Sequence, residues 1–424
     1  MNPFLRWSSS LLLAGGLSIT AGCESEPEGS TSPGTASEPG NAAAAGTGAS
    51  AGEEAASVAL LELAFDAASA LPDLHVKTRS RLQQELVAAS LGAGEAALAG
   101  RFAGAITNWR QGLALASIAL HHAEAGRATA AEPPLAAAIA MVERLRREGQ
   151  EQKWRWDRIR AHVAAALIEL GRDADAAPFA ADLEPSEVGP VMRARMRTVP
   201  ADRVDDQLDQ LQESLAVRDF ELTRASYASA AELYRRHYAR PEVRDRVETM
   251  VRGSTERLAG GVVVSVFCEL ARGAIENEDS VKALELVTDA ERAAAEREWL
   301  PRDAIPMRAT FARLRAQAGD AAGAEKAAGA ALELYREQEQ AIVDIRRADA
   351  LAPLAEAFHA AGADDRAGDV YATAADALVV NPNSVPRAED LCGVVSSMVL
   401  NGFTPTASLR ARLVRIRDEL GDPW

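Results

Sequence analysis

Four glycines, Gly126, Gly171, Gly319 and Gly362, hold the same place in four similar stretches of this 424-residue chain. This self-similarity constrains the fold more than any other feature, because a fixed period of several tens of residues is the mark of stacked repeats. Eight residues before each glycine stands a larger apolar group, Ile118, Val163, Phe311 or Leu354, and twelve before stand Ala114, Ile159, Met307 and Ala350. Positions +5, +9 and +12 hold Ala131, Leu135 and Ala138, then Ala176, Ala180 and Leu183, then Ala324, Ala328 and Ala331, then Ala367, Tyr371 and Ala374. Spacings of four and three put each set on one side of a helix. Each unit therefore reads as helix, glycine turn, helix. Neither helix can bury its stripe alone, so units must stack. Alanine, 90 of the 424 residues, sits at every +5 position, where two helices must approach most closely.

The steps are 45 residues from Gly126 to Gly171, 43 from Gly319 to Gly362 and 41 from Asp279 to Asp320. Weaker units start near Phe220 and near Glu278, and another is expected at Gly100, with Ala105 and Trp109 at its +5 and +9 places. The stretch 184–200 holds Pro185, Pro190 and Pro200 and is the expected boundary between two halves, 55–190 and 200–424. The charged LRARLVRIRDELGDPW at the end is expected to form a capping helix. The second-helix pattern Ala367, Tyr371, Ala374, followed by Asn381-Pro382, resembles tetratricopeptide (TPR) repeats, whose second helix carries A-x3-[FY]-x2-A. That family's first-helix tryptophan and Leu-Gly pair are missing, and the period exceeds its 34 residues. The resemblance implies an all-α fold, a right-handed superhelix of stacked antiparallel helix pairs, and says nothing of a ligand.

Ahead of the repeats, Leu11 to Ile19 form an apolar run after Arg6, too short to span a bilayer but suited to export. Thr20-Ala21-Gly22-Cys23 follows and resembles the bacterial lipobox. The resemblance implies a signal peptide over 1–22 and a lipidated Cys23 as the first mature residue, with Glu24 compatible with sorting to the outer membrane, facing the periplasm. Residues 23–54 carry six glutamates and no aromatic or branched aliphatic side chain, so they are expected to form a flexible tether. The chain has 46 basic and 62 acidic residues, a net charge of −16, which disfavours nucleic acid as a partner. Membrane association thus needs the lipid anchor. Cys268 and Cys392 lie in apolar helical stretches, as buried thiols or as a disulfide.

Motifs for chemistry are sparse. HExxH, the phosphate-binding P-loop and CxxC do not occur. His121 and His122 are adjacent, ~100° apart on a helix, and so are not expected to share a metal. No cofactor, metal or catalytic residue is expected. The distinctive stretch is Trp154-Arg155-Trp156-Asp157-Arg158, read either as a stacking platform for a partner or as an inter-repeat elbow capped by Asp157. Asn108-Trp109-Arg110 reads as a packed tryptophan with a flanking surface arginine. Arginine and acid recur at Arg302-Asp303 and at Arg346, Arg347 and Asp349. Trp154, Arg155, Trp156, Arg158, Arg346 and Arg347 are the candidate partner-binding residues. The expected function is a non-catalytic, membrane-tethered scaffold for a protein or peptide, with capture of glycan or peptidoglycan as the alternative.

Overall fold

The structure is a computed structural model that describes residues 43–149, 152–217, 219–253 and 260–424. The expected signal peptide, Cys23 and the tether up to residue 42 lie outside these residues. The first helix, α1 (Ala43–Ser69), takes in residues 43–54, expected as tether; their alanines favour helix.

The other described helices follow in pairs: α2 (Val76–Gly92) and α3 (Ala96–Ala105), α4 (Arg110–Glu124) and α5 (Ala128–Glu148), α6 (Lys153–Glu169) and α7 (Asp173–Ala180), α8 (Gly189–Thr198) and α9 (Val204–Ala216), α10 (Phe220–Arg236) and α11 (Pro241–Arg252), α12 (Gly260–Glu276) and α13 (Ser280–Ala295), α14 (Pro301–Gln317) and α15 (Ala321–Gln338), α16 (Arg347–Ala360) and α17 (Asp364–Leu378), α18 (Ser384–Leu400) and α19 (Ala407–Asp418). The fold is an all-α, solenoid-like array.

The joints share one geometry. At Gly171, where φ is +71°, the glycine N–H donates to Ile168 O (2.9 Å) and the Arg172 N–H to Leu167 O (2.8 Å). Gly126, Gly319 and Gly362 repeat this pair of bonds. A side chain is costly in that left-handed conformation, which is why glycine marks the period. At the weaker unit Glu278 adopts it with φ +59°. The alanines at +5 are all buried, as are the apolar groups eight residues before each joint. The unit expected at Gly100 is shifted: Gly94 is its joint, Ala99, Ala103 and Ile106 hold +5, +9 and +12, and Gly100 lies inside α3. Trp109 accordingly leads into α4 instead of sitting on a second helix.

First helices of successive pairs pack on one another without a gap, from α2 on α4 through to α16 on α18. Among the described residues, second helices of successive pairs come close to each other mainly at α9 with α11 and α17 with α19. Elements that touch along a curved array are those at the smaller radius, so the first helices form an inner layer. The proline-rich stretch 184–200 carries α8, which packs on α6 and α10, so the expected boundary falls inside the stack. Pro190 sits in the first turn of α8, where a missing N–H costs nothing.

The array closes on itself. Helix α18 packs on α2, and α1 lies against α2, α18 and α19. Arg81 pairs with Glu389 (2.5 Å), Arg417 with Asp66 (3.2 Å), and the Cys392 thiol donates to Ala64 O (3.3 Å). Leu61, Ala64, Leu86, Leu391, Val395 and Leu413 share one apolar cluster across the seam. The expected capping helix, α19, therefore helps seal a ring: its buried Leu409, Leu413 and Ile416 join that cluster. Cys268 and Cys392 are free, buried thiols in separate clusters, not a disulfide. Among the described residues no single helix is long and apolar enough to cross a membrane.

Candidate functional site

The inner layer leaves one side of each first helix facing the middle of the ring. On α4, a Cβ added at Gly112 would meet Met141 of α5, and Ala116 and Ala119 share the apolar cluster of α5. Arg110, Ser117 and Glu124, at successive intervals of seven, lie on the opposite side of α4. On α6, Asp157 and Arg160 face α7, so Arg155, Arg158, His162 and Glu169 face inward by the same spacing.

The structure brings three of the six expected residues together. Trp154 stands edge-on to Trp109 with ring centroids 5.4 Å apart. The guanidinium of Arg155 lies 5.3 Å from the Trp154 ring and 6.0 Å from Trp109, that of Arg158 5.2 Å from Trp154, and that of Arg110 4.8 Å from Trp109. Arg158 is gripped in fork geometry by Glu187 (2.8 and 2.7 Å). Arg81, one inner helix away, is held by Glu85 (3.0 Å) and Glu389. Arg110 differs: its side chain donates to the neutral Gln84 Oε1 (2.6 Å) and has no ion pair among the described residues. Burial, and next the Arg158 cation, bring its guanidinium down to about 10, with Arg81 and Arg155 acting in the same sense and Glu85 opposing.

Further along the inner face, His162 Nδ1 lies 2.9 Å from Arg158 O, and burial lowers its pKa to about 4. Arg193 on α8 has its pKa depressed by burial and then by the Arg197 cation. It too has no ion pair among the described residues. Arg197 is paired with Glu124 (2.5 Å) and Glu169 (2.6 Å).

Trp156, Arg346 and Arg347 stand elsewhere. Trp156 lies on the α7 side, 5.2 Å from the Arg160 guanidinium. Asp157 is not a helix cap: it is fully buried inside α6, pairs with Lys153 and with Arg160 (2.7 Å), and accepts from the Glu184 N–H (3.1 Å). That knot fastens the turn after α7, so Trp156 belongs to the elbow. Arg346 pairs with Asp349 (2.9 Å), and Arg347 donates to Ile342 O (3.2 Å). Nearby, burial and then the Asp349 and Glu389 anions push the Asp390 carboxyl up to about 8, with Arg346 opposing.

Sequence reasoning missed Arg110, and a signal was present. Trp109-Arg110 and Trp154-Arg155 are 45 residues apart, the step between Gly126 and Gly171. Placing Trp109 on a second helix hid that correspondence. The chain matches no protein-family model and no curated protein.

Proposed function

We propose that this chain is a TPR-like, lipid-anchored scaffold of the bacterial envelope that takes a protein or peptide partner on its helical-repeat surface and catalyses no reaction. The supporting observation is the convergence of Arg110, Arg155 and Arg158, from two successive first helices, on Trp109 and Trp154. Guanidinium and indole groups bind and orient a ligand, but at neutral pH they neither abstract protons nor attack as nucleophiles. A glycan reader needs open ring faces. Trp109 is 6% exposed and Trp154 carries two guanidinium groups, which favours a peptide over a sugar.

Affinity isolation of the mature protein from detergent-solubilised envelopes should yield a stoichiometric protein partner. Recovery only with insoluble peptidoglycan would overturn the scaffold reading. Cys23→Ala should release the protein from membranes; unchanged fractionation would refute the anchor.

A further inference from the structure

Burying a cation among other cations is unfavourable unless an anion compensates it. The inner face of the ring is a lattice of such compensation. Glu85 and Glu389 hold Arg81, Glu187 holds Arg158, and Glu124 with Glu169 holds Arg197. Two arginines in that lattice have no ion pair among the described residues: Arg110 on α4, whose side chain donates to Gln84 while Glu85 acts on it from further off, and Arg193 on α8, on which Glu232 and Glu124 act in the same way. Both lie on the same arc of inner helices, α4, α6 and α8, and His162 stands between the fields of Arg158 and Arg193. The chain carries a net charge of −16, so these cations without an ion pair run against its overall charge.

We infer that the inner arc from α4 to α8 binds an acidic peptide segment whose carboxylates complete the ion pairs of Arg110 and Arg193. This rests on the scaffold reading above and names the chemistry of its partner. A carboxylate is the group that Arg158 and Arg197 on this arc already hold, and the planar fork of Glu187 on Arg158 shows the geometry. Trp109 and Trp154 flank the Arg110 end, so their emission reports occupancy.

The test titrates the full chain with a capped octapeptide of alternating glutamate and alanine, followed by tryptophan fluorescence and calorimetry. The parallel probes are its glutamine analogue and inorganic phosphate. The peptide should bind saturably, the glutamine analogue should not, and Arg110→Gln and Arg193→Gln should each weaken binding about tenfold, the scale of one charge-assisted contact. Thermal denaturation checks that both variants fold. Equal binding of the glutamine analogue, wild-type affinity in both variants, or a response to phosphate without one to the peptide would overturn the inference. If the two variants still capture the protein partner from envelopes undiminished, the scaffold reading stands and this assignment falls.

Discussion

Two substitutions at equivalent joints should act with opposite sign. Gly171 and Glu278 both end a first helix in left-handed backbone, with φ +71° and +59°. Their hydrogen bonds match: the Glu278 N–H donates to Ile275 O (2.9 Å) and the Asp279 N–H to Ala274 O (2.9 Å). A Cβ added at Gly171 would meet nothing within 4 Å, so Gly171→Ala perturbs the backbone alone. A side chain in that conformation costs roughly 1–2 kcal/mol, and the stiffer unfolded chain returns about 0.4–1 kcal/mol. The net expectation is a loss of about 1 kcal/mol. Glu278→Gly reverses both effects and should be neutral or stabilising by up to about 1 kcal/mol. Equilibrium urea unfolding followed by circular dichroism gives both numbers, with an unchanged slope showing that the same surface is exposed. A neutral Gly171→Ala together with a destabilised Glu278→Gly would refute the assignment of a common joint.

Two predictions concern pH. His162 has its folded pKa lowered to about 4, so the unfolded chain binds more protons between about 6.5 and 4 and stability should fall as pH drops through that window, by at most about 3 kcal/mol. His162→Gln should flatten that part of the stability profile, and an unchanged slope would contradict the burial. Asp390 is raised to about 8, so the folded state holds its proton to higher pH than the unfolded chain and stability should decline as pH rises from about 4 to 8. Asp390→Asn should therefore stabilise the protein at pH 8 by at least about 1 kcal/mol and change nothing below about pH 4, as read by denaturant titration at the two pH values.

What was legible in the sequence followed from local physics. The glycines, the buried +5 alanines and the apolar groups eight residues earlier each answer to a constraint within one helical hairpin, and the structure keeps all of them. The first pair was misregistered because two glycines, Gly94 and Gly100, stand six residues apart, and only backbone conformation tells the joint from a helical residue. Closure was not legible at all. It depends on a small rotation between neighbours, accumulated over the whole array, which no single repeat encodes. The inner arc was half legible: Trp154, Arg155 and Arg158 stand out as a string, whereas Arg110 and Arg193 acquire meaning only because their neighbours Arg158 and Arg197 form direct ion pairs and they do not. Asp157 looked like a cap because it follows the start of a helix, yet its carboxylate binds a turn 27 residues away.

Closure of the array is what turns a curved surface into an inner face, and one cross-link tests it most directly. Asp66 on α1 and Arg417 on α19 form an ion pair of 3.2 Å although 351 residues separate them. In the Asp66→Cys, Arg417→Cys variant, a short bifunctional maleimide at low protein concentration should bridge the two sites within one chain. With Cys23 replaced by serine, the two native thiols left, Cys268 and Cys392, should stay silent, since both are buried and burial pushes Cys268 up to about 12. Efficient intramolecular bridging is the result a closed ring predicts. Single labelling at each site without bridging, in a folded protein, would mean that the ends do not meet.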